Sequence, residues 1–307
     1  MLNRISIVAL SCWLALHHSA IAFTPISQVR RPVALALSSN QQDNVLYVAN
    51  RDSGTVSLVD LKRRQPIGEI EVGGQPADLI HLRSGHLLVV DHQNHQLISV
   101  ENASTEPVLS KTPVAEYPVR ILVDDAQRFC YVTSLWAKTL TKFELHKDTN
   151  QPLRRVATSK LAFPPKELCL TRDGNHVVVA GAFEAHLSIR DAVTLESVAM
   201  HKLLGHNIAG MVVDSESGDL LLSHQELNPL AHSTQDDVHW GNLMSNLFVS
   251  YPMNALRDPT ANPIDHRTTT QLGEAGAAAA DPGQILIGNG NRVVVLLSGT
   301  HQVAILD

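Results

Sequence analysis

Aromatic residues are scarce in this chain, since Phe, Trp and Tyr together make up 4% of its 307 residues. The sequence has no basic stripe and no aromatic residues interleaved with one, which is the pattern typical of nucleic-acid binding. The formal net charge of −6 is too small to indicate a particular partner. We therefore expect no nucleic-acid partner.

Motifs of common catalytic and cofactor sites are also missing. No C-x-x-C-H occurs, which excludes covalent attachment of a c-type haem to this chain. No G-x-S-x-G nucleophile elbow occurs, and the turn at Gly288-Asn289-Gly290 lacks the helix that a dinucleotide site requires. We expect no cofactor within the chain other than a divalent metal ion, and haem only through a partner or a missing C-terminal part.

Cysteine is rare, with three residues in the whole sequence. Cys12 lies in the N-terminal segment, which leaves Cys130 and Cys169 in the remainder. An exported protein can oxidise such a pair, but both lie in apolar strand patterns, where a buried free thiol is the commoner state. Both alternatives stay open.

Long hydrophobic runs are confined to the N-terminus. Arg4 precedes an apolar run over residues 5–16, and Ala20-Ile21-Ala22 supplies a small-x-small cleavage pattern. This predicts a signal peptide over residues 1–22 and an exported protein in the periplasm, on the cell surface or outside the cell. No later segment has the length of a transmembrane helix, so none is expected after cleavage.

One sequence motif recurs along residues 23–307: a Pro or small residue, an apolar strand, a polar turn and a more strongly apolar strand. The motif begins at these positions: Pro32, Pro76, Pro118, Pro165, Ile208 and Pro282. Third strands follow, such as GTVSLVD to Asp60 and HQVAILD to Asp307, and weaker fourth strands precede the next proline. Four short strands in about 45 residues are typical of a β-propeller blade.

The repeat predicts an all-β propeller with six visible four-stranded units. The last unit lacks a fourth strand, and an open sheet edge is a liability. Residues 24–29 could pair with the strand ending at Asp307 and close a six-bladed ring. Alternatively, the chain is a truncated seven-bladed ring.

The units resemble the YVTN-type β-propeller repeat family. Tyr47-Val48-Ala49-Asn50 with Gly54–Asp60 carries the resemblance, and Tyr131-Val132-Thr133-Ser134 is a second copy, whereas later units drift. Such propellers are found in surface antigens and surface-layer proteins, and some precede c-type cytochrome or dihaem-peroxidase-like domains. The resemblance thus implies a c-type cytochrome as one potential partner, and the family's usual seven blades favour the truncated ring.

Ligands of propellers bind at the mouth of the central channel, where loops after the second strands and before the first strands meet. The repeat places Asn50, His92 and His224 at equivalent ends of second strands, and His206 precedes a first strand. Convergent imidazoles can ligate a metal or exchange protons near neutral pH. A solvated polar rim is the alternative.

An insertion at about residues 225–267 lengthens the fifth unit. It brings His239 and Trp240 close to His224 in sequence, so His224 and His239 are candidate metal ligands and Trp240 a candidate ligand contact. The spacing matches no zinc signature. Alternatively, Asp236 and Asp237 merely cap a short helix over residues 238–247.

Three functions remain. The first is an exported, non-catalytic propeller that binds a protein or small molecule at its mouth. The second is the propeller part of a c-type cytochrome or peroxidase-like redox protein, although this chain lacks the haem motif. The third is a lactonase-like hydrolase with a metal in the channel, for which the first strands offer few acidic ligands.

Overall fold

A computed structural model describes residues 29–39, 44–101, 103, 106–146, 153–239, 243–274, 277–288, 290 and 292–306, with only the backbone of residues 238, 239, 274, 277 and 278. The predicted signal peptide lies outside this part of the chain. So do residues 24–28 of the predicted closing strand, while Val29 is described and is not in a strand.

The chain forms antiparallel sheets in sequence order. The first sheet has β1–β4 at Pro32–Leu37, Val45–Asn50, Thr55–Asp60 and Gln65–Glu71. The second has β5–β8 at Pro76–His81, Leu87–Asp91, Gln96–Glu101 and Val108–Pro113. The third has β9–β12 at Pro118–Val123, Phe129–Ser134, Thr139–Leu145 and Leu153–Lys160.

The fourth sheet has seven strands. They are β13–β19 at Pro165–Leu170, His176–Gly181, Glu184–Asp191, Ser197–Val213, Leu220–Leu227, Met244–Tyr251 and Thr268–Gln271. A two-stranded ribbon follows, with β20 and β21 at Gly273–Glu274 and Ala277–Ala278. The last sheet has β22–β24 at Pro282–Ile287, Val293–Leu297 and Gln302–Leu306. Two short helices, α1 and α2, span Gln235–His239 and Met253–Arg257, and a 3₁₀ helix spans Pro263–His266.

The β-propeller prediction is confirmed, but its blade count is corrected. Four sheets have four or more strands, so the structure has four blades rather than six or seven separate ones. The difference arises at β16, whose 17 residues run without interruption through both the fourth strand of one predicted unit and the first strand of the next. Backbone hydrogen bonds therefore join two predicted units into one sheet, and the last sheet has only three strands.

Five apolar clusters lie between successive groups of strands. Successive side chains of one strand pack alternately against the two neighbouring sheets, because residues along a strand point to opposite faces in turn. Leu87 and Val89 of β6 pack on the first sheet, whereas Leu88 and Val90 pack on the third. Strands in the middle of the molecule are thus buried on both faces, which explains their continuous apolar runs.

Three charged side chains meet at the third positions of consecutive first strands. Arg120 of β9 donates three hydrogen bonds of 2.8 to 3.2 Å to Glu167 of β13, and its Nη1 lies 3.9 Å from Asp78 of β5. Burial raises the pKa of Asp78 to about 6, although Arg120 favours its ionised form. This cluster crosses three sheets where the sequence pattern predicted only apolar strands.

Cys130 and Cys169 are free and buried, in different apolar clusters. Burial raises the pKa of both thiols. The buried-thiol alternative is therefore confirmed, and these groups act as small apolar side chains. No helix in the described part of the chain has both the length and the apolar character needed to cross a membrane.

Candidate ligand-binding site

The loops after the second strands and before the first strands share one end of the molecule, as predicted. A repeated backbone hydrogen bond holds them together: Arg51 N–H donates to Arg31 O at 3.0 Å, and His92 N–H donates to Gln75 O at 3.2 Å. Leu135 N–H makes the same bond to Tyr117 O at 2.8 Å. Side chains from neighbouring sheets are thereby fixed next to one another at this end.

The register corrects one alignment made from the sequence. Asn50 pairs with Pro32, but Pro76 pairs with Asp91 and not with His92. His92 therefore lies one residue beyond the repeat position of Asn50. Because neighbouring strand residues point to opposite faces, this shift of one residue gives His92 different surroundings.

The residues at the end of the second strands are buried and largely bind their own loops. Asn50 Nδ2 donates to Thr55 Oγ1 at 3.1 Å and to Ser57 Oγ at 2.8 Å. Asp91 accepts backbone bonds from Gln75, Gln93 and Asn94, and side-chain bonds from Asn94 and Gln96. These groups organise the loops, and Asp and Asn are typical of such turns because their side chains bind nearby backbone N–H groups.

His224 is the exception among these residues. Its side chain is fully buried within β17, and neither ring nitrogen has a hydrogen-bond partner among the described residues. Its Nε2 lies 3.9 Å from Glu226 Oε1, and Glu226 is paired with Arg267. Burial lowers the pKa of His224 to about 4 and outweighs the opposing effect of the Glu226 charge, while Arg267 and His206 lower it a little further. The imidazole is therefore held neutral.

His206 lies on β16 opposite Gln225, close enough for its charge to lower the pKa of His224. The backbone of His239 ends α1, whereas its side chain and all of Trp240 lie outside the described residues. The described residues include no group of three or more His, Cys, Asp or Glu side chains arranged to hold a metal ion. Of the candidate histidines, the structure therefore brings together His206 and His224, whereas His92 lies elsewhere on the same end.

The inserted loop begins and ends at the hairpin of β17 and β18, where Leu227 pairs with Met244. Its short helix is α1 at Gln235–His239, not the segment 238–247 predicted as an alternative. Asp237 accepts hydrogen bonds from His232 N–H and the Thr234 hydroxyl, and Thr234 Oγ1 accepts one from Asp237 N–H. The Thr234 hydroxyl therefore caps this helix, and the Asp237 carboxylate binds the loop that precedes it.

His92 belongs to a second group, which sequence analysis did not find. Its ring stacks on Tyr117 with centroids 4.5 Å apart, Tyr117 lies 6.1 Å from Trp136, and Trp136 stacks on Phe183 at 6.0 Å. We call these four rings the aromatic shelf. The four residues come from loops of three different sheets, so their separation in sequence hides the row.

Arg51 supports the inner end of the aromatic shelf. Its Nη2 lies 3.1 Å from His92 Nε2 and donates to Tyr117 Oη at 3.3 Å. His92 Nε2 also lies 2.7 Å from Gln75 Oε1. Burial and the charge of Arg51 lower the pKa of His92, so the ring is neutral at pH 7.

The outer end of the aromatic shelf is open to solvent. Trp136 is 53% exposed and Phe183 is 55% exposed. Large aromatic rings are normally buried, so two exposed rings in contact form an unusual surface. The arrangement offers a fixed π-surface with the guanidinium group of Arg51 at its inner end.

A separate cleft of about 690 Å³ lies at the opposite end, between the second and third sheets. Its basic lining includes Arg83, His86 and His146. His86 lies 3.5 Å from Glu101, and Arg83 donates to a backbone carbonyl. These groups already have partners in the fold, so this cleft is a weaker candidate.

No protein-family model matches the chain, and no curated protein matches its sequence. Solved structures do match it. Kuenenia stuttgartiensis hydrazine synthase is similar, with a TM-score of 0.76, 16% identity and coverage of 94% of this chain and 80% of that chain. A catalytically inactive virginiamycin B lyase from Staphylococcus aureus with Quinupristin gives a TM-score of 0.65, 11% identity and coverage of 92% and 83%.

The periplasmic gluconolactonase of Pseudomonas aeruginosa has a TM-score of 0.54 and 17% identity, with 78% of this chain and 69% of that chain covered. At such identities, the likeness establishes the β-propeller fold alone. It neither identifies the chain as a member of the YVTN-type family nor assigns a ligand.

Proposed function

We propose that this chain is an exported, non-catalytic β-propeller that binds a partner protein on the aromatic shelf. The observation that carries the proposal is the exposed pair Trp136 and Phe183, held next to the stacked rings of His92 and Tyr117. Aromatic and arginine side chains are enriched among the few residues that dominate protein–protein affinity. Because the shelf is held by stacking and by Arg51, its rings lose little freedom on binding.

Export and membership of the YVTN-type family remain part of the proposal. The motive for export is the signal-peptide pattern ending at Ala22. The motive for family membership is the Tyr47–Asn50 segment with its following strand. A c-type cytochrome is one potential partner under this proposal, and a lactonase-like activity is the competing function.

A phage-displayed peptide library panned on the exported protein tests the proposal. Selected peptides should bind the wild-type chain and lose at least about 30-fold in affinity when Trp136 and Phe183 are both changed to Ala, since an interface anchor contributes about 2 kcal/mol or more. Val193→Ala is the matched control, because Val193 is exposed elsewhere in a β-turn. Circular dichroism melting should show that all variants stay folded.

Two results would contradict the proposal. Selected peptides could bind the double variant as well as they bind wild type, which would place recognition elsewhere. Alternatively, the protein could hydrolyse gluconolactone well above the uncatalysed rate, which would favour the hydrolase. Titration with a purified soluble c-type cytochrome, on wild type and the double variant, tests the redox partner separately.

A further inference from the structure

The cleft between the second and third sheets is a weak candidate for a partner protein, but its shape and lining suit a small molecule. Its volume of about 690 Å³ is within the range of ligand sites in proteins. Its walls are the turn that joins β5 to β6, the turn that joins β9 to β10, and the end of β11. It lies at the end of the molecule away from the aromatic shelf.

Two hydrogen bonds between the turns fix the walls of this cleft. Arg83 N–H donates to Gln127 Oε1 at 2.8 Å, and Arg83 Nη1 donates to Asp125 O at 3.0 Å. Both bonds run from the second sheet to the third. The cleft is therefore preformed, which lowers the cost of ordering its walls around a ligand.

The floor of the cleft is apolar apart from one hydroxyl group. Leu82 and Leu88 line it, and both are buried members of the apolar cluster between these two sheets. Ser99 of β7 pairs with Leu88, so its side chain points to the same face of the sheet. Ser99 is only 3% exposed, and none of the described residues bonds its hydroxyl. An unpaired buried hydroxyl is costly, which favours a ligand over an empty apolar pocket.

The repeat shows that a serine is unusual at this position. β3 and β7 are equivalent third strands, and their first residues, Thr55 and Gln96, pair with the last residues of the strands before them. Three residues further along, β3 has the buried Leu58, whereas β7 has Ser99. Leu58 belongs to the apolar cluster between the first and second sheets. A small polar residue thus replaces a large apolar one where the cleft lies.

The rim of the cleft is basic. Arg83, His86, Arg128 and His146 line it, and none of the described lining residues is an Asp or a Glu. Each histidine lies 3.5 Å from a glutamate outside the lining, but the two arginines form no ion pair with a described residue. Because the chain as a whole has a net charge of −6, this local excess of positive charge favours an anionic ligand.

Arg128 is the basic group with the fewest contacts in the fold. The carbon of its guanidinium lies 5.7 Å from the centre of the Phe129 ring, and no described residue accepts a hydrogen bond from its side chain. A guanidinium over a ring keeps its N–H groups available. Such groups bind the paired oxygens of carboxylates and phosphates.

We propose that this cleft binds an amphipathic organic anion. Its carboxylate or phosphate head group contacts Arg128 and Arg83 at the rim, and its apolar part lies against Leu82 and Leu88. The cleft and the aromatic shelf share no residue, so this second site does not depend on the partner-binding function.

Isothermal titration calorimetry with octanoate tests the proposal. Octanoate should bind the exported wild-type chain saturably. Octan-1-ol has the same chain without the charge, and it should bind at least about tenfold more weakly because it lacks charge-assisted hydrogen bonds. Inorganic phosphate has charge without the chain and should also bind more weakly, since it buries no apolar surface. Octyl phosphate then shows which of the two head groups the site prefers.

Two variants locate the site. Arg128→Gln should weaken octanoate binding by at least about tenfold, because it removes the guanidinium. Ser99→Leu should also weaken it, because it fills the floor with the side chain that β3 has there. Arg63→Gln is the matched control, since Arg63 is an exposed arginine at a turn of the first sheet. Circular dichroism melting confirms that each variant is folded, and the Trp136 and Phe183 double variant should bind octanoate normally.

Three outcomes would overturn the proposal. Octanol could bind as tightly as octanoate, which would show that charge plays no part. Octanoate could bind Arg128→Gln as tightly as it binds wild type, which would place the anion elsewhere. Finally, neither octanoate nor octyl phosphate could bind the folded wild-type chain saturably.

Discussion

Arg120 should contribute far more to stability than the ion-paired arginines on the surface of this protein. Its guanidinium lies between Glu167 and Asp78, with side chains 8% and 16% exposed. Arg120→Met keeps much of the apolar volume and removes the positive charge. The variant leaves two largely buried carboxylates facing a neutral side chain, and Lys166 Nζ, 3.8 Å from Glu167, is then the one cation that the described residues place within ion-pair distance of either carboxylate.

Removing one partner of a buried ion pair costs about 3–5 kcal/mol, because the remaining charge is left uncompensated. This magnitude applies at pH 7, where both carboxylates are ionised in the unfolded chain. Asp78 already has a folded-state pKa of about 6, above its ordinary value. Between about pH 4 and pH 6 the folded state therefore binds more protons, and stability falls as pH rises through this window.

Without Arg120, the pKa of Asp78 should rise further, because the charge that favours its ionised form is gone. Protonation then relieves the uncompensated charge, so the loss of unfolding free energy should be smaller at pH 5 than at pH 7. Urea unfolding followed by circular dichroism, at both pH values, measures the difference. Arg154→Met is the control: Arg154 pairs with Glu144 on the surface, and its loss should be small at both pH values.

An equal loss at pH 5 and pH 7 would refute the reasoning. It would show that Arg120 acts through packing of its aliphatic part rather than through its charge. A loss below that of the Arg154 control at pH 7 would refute it as well.

Three other outcomes are expected. Gly74→Ala should lower the unfolding free energy by about 2 kcal/mol, because Gly74 has a φ of +60° and a Cβ there would lie 2.2 Å from the Asp91 carboxylate; urea unfolding checks this, and an unchanged midpoint would contradict it. The His224 imidazole should stay neutral at pH 5 in long-range ¹⁵N NMR spectra, since its folded pKa of about 4 lies below its ordinary value. Its contribution to stability should therefore be lost as pH falls from about 6.5 towards 4. A titration midpoint at the ordinary value would contradict this and show that the ring is solvated. N-terminal sequencing of the exported protein should begin at Phe23, and retention of the preceding residues would place the cleavage site elsewhere.

Much of the fold could be predicted from the sequence because inner strands are buried on both faces and therefore give continuous apolar runs. The predicted starts at Pro76 and Pro118 coincide with β5 and β9. The merging of two units at β16 could not be predicted in this way. Its residues alternate normally, and Gly205 and Asn207, both with positive φ, resemble turn residues.

The candidate site was harder to predict than the fold. His92 was predicted to be the last residue of its strand, but the strand ends one residue earlier, at Asp91. A period-two pattern does not mark where a strand ends. The aromatic shelf was missed for a different reason. Tyr117, Trp136 and Phe183 are isolated in sequence, and only the ring-like succession of sheets brings them into contact.

The merged strand β16 also has a mechanical consequence for the aromatic shelf. Phe183, the outermost ring, follows β14, and its carbonyl accepts a hydrogen bond from Asn207 N–H of β16 at 3.2 Å. β16 in turn is hydrogen-bonded on one side to β15 and on the other to β17. A force applied to Phe183 by a bound partner is therefore passed through this hydrogen bond to the seven-stranded sheet, whereas the backbone of Trp136 belongs to the four-stranded third sheet.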